Sequence, residues 1–161
     1  MTTDSPQHGV RRVLDSLRQL VQGVRQASLE VERKYGVSGA QLFVLLQLRD
    51  HRAASVNELA ERTMTHQSSV SVVVTKLAQK GLVRRARSAA DARRVGIELT
   101  PKGRRLIARA GPSFQERLAI GLKELSPKQL RSIAESLEAI NRAAGWKAQK
   151  PGLFFEPSSK S

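Results

Sequence analysis

The stretch from Ser55 to Thr100 constrains this chain more than any other. It reads SVNELAER, a short break TMTH, QSSVSVVVTKLAQKGLV, and then RRARSAADARRVGIELT. Ser55 and Glu58 have the spacing of a capping box, in which the serine closes a backbone N–H of the first turn and the glutamate reaches back to the serine's own. Val56, Leu59 and Ala60 follow as an apolar face. In the next run Val70, Val74 and Leu77, with Val73 beside them, fall on one stripe at helical period. Gly81 is placed to end that helix as its C′ residue. Leu82-Val83 and the run from Val95 to Leu99 read as short strands around a tip rich in alanine and arginine. Two short helices joined by a tight turn and followed by a cationic hairpin imply a winged helix-turn-helix.

Phasing the second helix at about 100° per residue turns Ser68, Val72, Thr75 and Gln79 away from the stripe, with Ser69, Ser71 and Lys76 on the flanks. Small hydroxyls and amides let a helix sit deep in a major groove and reach base edges. Gln67, Ser68, Ser69, Ser71, Val72 and Thr75 are therefore the expected groove-facing residues. The hairpin adds Arg84, Arg85, Arg87, Arg93 and Arg94, with Asp91 as acidic company between the strands. A loop arginine is ordinarily a solvated charge. This cluster, beside a groove-sized helix, points instead to phosphate and minor-groove contact. Lys76, Arg84, Arg85 and Arg87 are assigned to phosphates, and Arg93 or Arg94 to the minor groove, where width and A·T content are read. Asp91 is expected to pair with Arg93 and orient the tip, since an exposed pair stabilises a fold by only ~0–1 kcal/mol.

The run VNELAER…SSVSVVVTKLAQKGLVRR…DARRVGIELTPKGRRL resembles the MarR (multiple antibiotic resistance regulator) family. The likeness lies in the Leu-Ala helix and the Val…Val…Lys-Leu…Lys-Gly-Leu-Val helix. It continues in a wing of Asp-x-Arg and Leu-Thr-x-x-Gly, here Asp91, Arg93, Leu99, Thr100 and Gly103. It spans about a third of the chain, and the flanking helices fit the family in length and order. Val72 departs from the pattern, because that outward position is often polar or basic in relatives. A valine contacts a thymine methyl and cannot hydrogen-bond a guanine. The resemblance implies a homodimer held by the N-terminal helix and the two last helices. It further implies repression, released when a small aromatic or phenolic effector enters a cleft between the dimer helices and the DNA-binding lobe. Residues near Tyr35, Leu42, Phe43 and His51 are the expected lining, although a core role at the junction of two helices accounts for them as well.

A formal charge of +14 on 161 residues favours a polyanionic partner, duplex DNA first. Aromatic side chains make up 4% of the chain, too few for the stacking platforms of a single-strand binder. The chain contains no cysteine, which excludes a thiol redox sensor and a sulfur-ligated zinc site and suits a reducing cytoplasm. No apolar run approaches the ~18 residues of a bilayer span, and MTTDSPQHGVRR lacks the apolar core of a secretion signal. The expected location is cytoplasmic, on the nucleoid, with no membrane partner.

The expected architecture is mostly α with a small β-wing. Residues 1–9 read as a flexible arm, and 10–35 and 112–147 as a helical dimerisation region. Residues 36–111 read as the winged helix-turn-helix domain and 148–161 as a tail. A helical stripe begins at Val10 and runs through Val13, Leu14, Leu17, Leu20, Val21 and Val24 toward Lys34. Ser38 caps the run GAQLFVLLQLRDH, which is apolar on several sides and should be widely buried. Ala53-Ala54-Ser55 is a candidate third strand. Thr100-Pro101 and Ser126-Pro127 each open a helix with an N-cap and a first-turn proline, and Gly111-Pro112 should interrupt the first of these. Leu130, Ile133, Leu137, Ile140 and Ala144 recur in steps of three and four, a narrow seam for helix-on-helix contact. Trp146, Leu153, Phe154 and Phe155 are expected to fold back on the dimer region.

No phosphate-cradling glycine loop, metal-ligand cluster or nucleophile constellation is present in the sequence, so neither enzyme chemistry nor a cofactor is expected. Ser68, Ser69 and Ser71 lie near His66, but no acidic residue is placed to orient the histidine, and the serines sit on a helix. The rival reading is an architectural, weakly specific DNA-coating protein, supported by the high charge and the plain surface at Val72.

Overall fold

A computed structural model describes residues 6–49, 54–87, 95–146 and 153. The elements run α1 (Pro6–Tyr35), α2 (Gly39–Leu46), α3 (Val56–Arg62), α4 (Gln67–Gln79), β1 (Val83–Arg87), β2 (Val95–Leu99), α5 (Pro101–Arg109), α6 (Phe114–Lys123) and α7 (Pro127–Ala143). The fold is mostly helical with one small antiparallel sheet, a winged helix-turn-helix between long terminal helices.

Helix starts follow the capping chemistry in the sequence. Ser38, Ser55, Ser113 and Ser126 each form a full capping box, with Gln41, Glu58, Glu116 and Gln129 respectively. Thr100 caps α5 with Pro101 in its first turn. Helix α1 begins at Pro6 rather than Val10, so residues 6–9, expected in the arm, are helical. A proline fits the first helical position because its missing N–H has no intrahelical partner there. Gly111-Pro112 does interrupt the helical path, and Ser113 restarts it as α6.

The core is built around α2, whose eight residues are all buried. A helix apolar on every side must be enclosed, and α2 packs against α1, α4, α5 and α6. It is shorter than the expected run to His51. After Leu46 the chain tightens, with Leu48 N–H donating to the Leu45 carbonyl at 3.1 Å and Arg49 N–H to Leu46 at 3.1 Å. That turn keeps Leu48 in the core, while Arg62 Nη1 donates to the Gln47 carbonyl at 3.3 Å. Val70, Val73, Val74 and Leu77 of α4 are buried against this centre. Each such side chain stabilises the fold by roughly 1.5–3 kcal/mol relative to exposure.

Strands β1 and β2 pair from Val83↔Leu99 at the base to Arg87↔Val95 at the distal end. The candidate third strand is a single bridge. Ala54 exchanges backbone hydrogen bonds with Ile97 at 3.0 and 2.8 Å, tying the chain ahead of α3 to the hairpin. The tail departs from expectation. Leu153 is buried and belongs to the winged-helix core cluster rather than the dimer region, and Trp146 is exposed. Phe154 and Phe155 lie outside the described residues.

Candidate nucleic-acid interface

The turn that sets α4 against α3 is made without glycine. Met64 adopts a left-handed backbone, φ 52°, unusual for a side chain with a Cβ. Thr63 holds it there. Its hydroxyl donates to the Leu59 carbonyl at 2.7 Å and meets the Thr65 hydroxyl at 2.9 Å, and Thr65 N–H reaches the Ala60 carbonyl at 3.0 Å. The fixed turn leaves the N-terminus of α4 facing outward. Gln67, Ser68, Ser71, Thr75 and Gln79 are exposed, whereas Ser69, Val72 and Lys76 are half-buried. Val72 is thus a partly covered apolar surface. The Thr75 hydroxyl donates to the Ser71 carbonyl at 2.9 Å, which orients its lone pairs outward to accept.

The hairpin lies alongside. Thr75 and Gln79 of α4 share a groove of about 250 Å³ with Arg84 and Arg85 of β1, and Val74, Ala78, Val83 and Ile97 form its apolar part. Arg85 is exposed opposite Ile97. Arg84 is directly opposite Glu98, and its Nε and Nη2 both contact Glu98 Oε1 at 2.6 Å. The sequence spacing does not announce this pair, because the approach of Glu98 to Arg84 depends on strand register. Arg87 closes β1, while Asp91, Arg93 and Arg94, with their expected ion pair, lie outside the described residues.

The hairpin's base is locked to α4 and α5. Thr100 donates its N–H to the Leu82 carbonyl at 3.0 Å and its hydroxyl to the Gly81 carbonyl at 2.7 Å, and accepts from Gly103 N–H at 3.1 Å. Gly81 takes the left-handed conformation, φ 68°, that reverses the chain after α4. At Gly103 a side chain would overlap the Leu82 carbonyl oxygen. The Leu-Thr-x-x-Gly run is therefore a close backbone packing of α5 on the wing's root.

Tyr35 and Leu42, two residues of the expected effector lining, border different cavities among the described residues. Tyr35 donates its hydroxyl to the Arg109 carbonyl at 2.9 Å and lines a cavity of about 510 Å³ with Lys34, Leu82, Lys102, Arg105, Leu106, Ala108 and Arg109. Leu42 instead lines a separate crevice of about 10 Å³ between α1, α2 and α6, beside the buried side-chain amide oxygen Oε1 of Gln115. Phe43 is buried in the core, and His51 lies outside the described residues. The separation follows from α2 being enclosed on all sides, while Tyr35 reaches past it to the end of α5. Among the described residues no group of acidic or histidine side chains could hold a metal, and no helix is long and apolar enough to cross a membrane.

Comparison with known proteins bears directly on this arrangement. The model of the MarR family matches residues 35–94, which include α2, α3, α4 and β1. The HTH-type transcriptional repressor MdtR of Bacillus subtilis (strain 168) is 35% identical over 120 residues, covering 74% of this chain and 72% of the relative. This chain belongs to the MarR family. It is a winged helix-turn-helix protein of a family of DNA-binding transcriptional regulators. Solved structures share the fold at lower identity. The S. aureus MepR–DNA complex aligns with a TM-score of 0.54 and 21% identity, over 81% of this chain and 97% of the other. BpsR of Bordetella bronchiseptica, whose DNA binding is regulated by 6-hydroxynicotinic acid, aligns with a TM-score of 0.53 and 24% identity, over 88% and 96%.

Proposed function

We propose that this MarR-family protein is a homodimeric repressor that reads an inverted-repeat duplex with α4 in the major groove and the wing in the minor groove. The observation that carries the reading is the shared groove in which Thr75 and Gln79 of α4 stand beside Arg84 and Arg85 of β1. Base-edge donors and acceptors thus lie next to cations that hold the adjacent backbone. Gln67, Ser68, Ser69, Ser71, Val72 and Thr75 contact the groove. Lys76, Arg84, Arg85 and Arg87 bind phosphate, and Arg93 or Arg94 enters the minor groove. Apolar side chains left exposed on α1, α6 and α7, among them Val10, Val21, Ile120, Ile133 and Leu137, support pairing with a second copy. Two-fold symmetry then sets half-site centres about 10 base pairs apart, or a multiple. The kinship with MdtR favours repression, and action on the nucleoid in the cytoplasm follows from it. The cavity beside Tyr35 suits a small aromatic effector, which releases DNA only if it binds one spacing of the reading heads more tightly than the other.

Selection from a pool of random duplexes tests the reading, and the expected product is a palindromic consensus. Broad recovery of A·T-rich duplexes without symmetry would favour the architectural rival. On the selected duplex, Thr75→Ala should erode preference over random DNA by ~1–3 kcal/mol per half-site if a good base contact is lost. Arg85→Ala should weaken both duplexes alike and flatten the dependence of log affinity on log salt by about 0.9 per half-site, about 1.8 for the dimer. If Arg85→Ala changed the consensus and left the salt slope intact, its phosphate role would be refuted.

A further inference from the structure

We propose that Glu98 is an internal competitor for DNA phosphate, which makes contact by Arg84 conditional on correct seating of α4. The inference rests on the proposed phosphate role of Arg84. Glu98 is the one carboxylate in the two strands, whose sequences are VRRAR and VGIEL. It sits opposite Arg84, and a single carboxylate oxygen takes two guanidinium nitrogens at 2.6 Å. The pair is asymmetric. The Arg84 side chain is 68% exposed and that of Glu98 only 16%, so the guanidinium lies outermost over a sunken acid. Arg84 also lines the groove shared with Thr75, Gln79 and Arg85.

A phosphate oxygen and a carboxylate oxygen bind guanidinium in the same way. A phosphate reaching Arg84 must displace Glu98 or accept a pair with no net charge. In loose electrostatic contact with arbitrary DNA nothing offsets that cost, so Arg84 contributes little and releases few counterions. On a matched site α4 is inserted, and the neighbouring contacts of Thr75 and Arg85 hold the phosphate against Arg84. Displacement of Glu98 then proceeds with their support. Glu98 acts as the repulsive element that separates correct from incorrect duplexes, a role that attractive contacts alone do not fill.

Glu98→Gln keeps the shape and an oxygen acceptor for Arg84 and removes the charge. Binding is measured over a salt series on the selected duplex and on an unrelated duplex of equal length. For the unrelated duplex, affinity should rise roughly three- to tenfold, and the salt slope should steepen by about 0.9 per subunit engaged, up to about 1.8 for the dimer. The selected duplex should gain less, so the ratio between them falls. In an Arg84→Ala background the same substitution should change little. An equal gain in that background would mean a general effect of charge and overturn the proposal. So would an equal gain on both duplexes, or a loss on either. Failure of the unmodified protein to prefer any duplex would instead sink the regulator reading, so the two failures are distinguishable.

Discussion

Gly103→Ala is expected to lower the melting temperature by roughly 4–8 °C and to weaken binding to every duplex. The substitution sets two effects against each other. Alanine in a helix is favoured over glycine by about 1 kcal/mol. Against that, the new methyl would overlap the Leu82 carbonyl oxygen. That oxygen is backbone, it accepts from Thr100 N–H, and it belongs to the root of β1, so it cannot swing aside as a side chain would. Overpacking costs typically 1–3 kcal/mol, and a rigid backbone neighbour puts this site at the upper end, so the clash wins by about 2 kcal/mol. Relief would push α5 off the hairpin and strain the Thr100 hydrogen bonds to Gly81 and Leu82 that aim the wing. Gly121→Ala is the matched control, because a side chain at that helical position meets nothing within 4 Å. It should leave stability unchanged or raise it by up to about 1 kcal/mol. A thermal melt followed by circular dichroism compares the two. Equal melting of Gly103→Ala and the parent would refute the packing role given to this glycine.

The same contact shows what the sequence makes legible and what it does not. Local chemistry is written locally. The phase of Val70, Val73, Val74 and Leu77 fixes which side of α4 is inside, and the capping box at Ser55 and the N-cap with first-turn proline at Ser126-Pro127 mark helix starts within a residue. Gly81 marks the reversal after α4, because a positive φ there has an obvious candidate residue. Met64 takes the same backbone conformation in the α3–α4 turn without a glycine, held by the hydroxyls of Thr63 and Thr65, and nothing in its residue type announces it. Partnerships between distant residues are equally silent. Arg84 meets Glu98 only because the strands pair in one register, and Tyr35 finds the Arg109 carbonyl across 74 positions of sequence. Leu153 joins the core from a stretch whose composition reads as tail. The division of α4 into a buried stripe and an outward face is therefore legible from periodicity, whereas the electrostatics of the wing and the cavities beside Tyr35 and Leu42 require the fold.

Placing two arginines on α7, by Ile133→Arg with Leu137→Arg, is expected to convert the proposed dimer into a monomer and to reduce affinity for the selected duplex at least 100-fold. Helix α7 has no buried residue within the chain, and Ile133 and Leu137 are 41% and 44% exposed. They lie one turn apart on the seam with Leu130 and Ile140, the pattern expected of a helix that packs on another. Each chain's own fold should survive, because α7 contributes nothing to the winged-helix core and arginine is a good helix former. Burying unpaired guanidinium groups in an apolar contact is costly, so association should fail first. The loss on DNA follows from valency. Two linked reading heads bind with an avidity that can exceed a single head by ~10²–10⁴, with no new contact made. A monomer keeps the contacts of one half-site and loses that factor, so its affinity for the full duplex should fall to that for an isolated half-site. Sedimentation separates monomer from dimer, and circular dichroism checks that helix content is retained. A parent protein that sediments as a monomer while still gripping the full palindrome would remove the basis for two-fold recognition. Variants that remain dimeric would move the interface away from α7 and onto the exposed face of α1, where Val21 is 62% exposed.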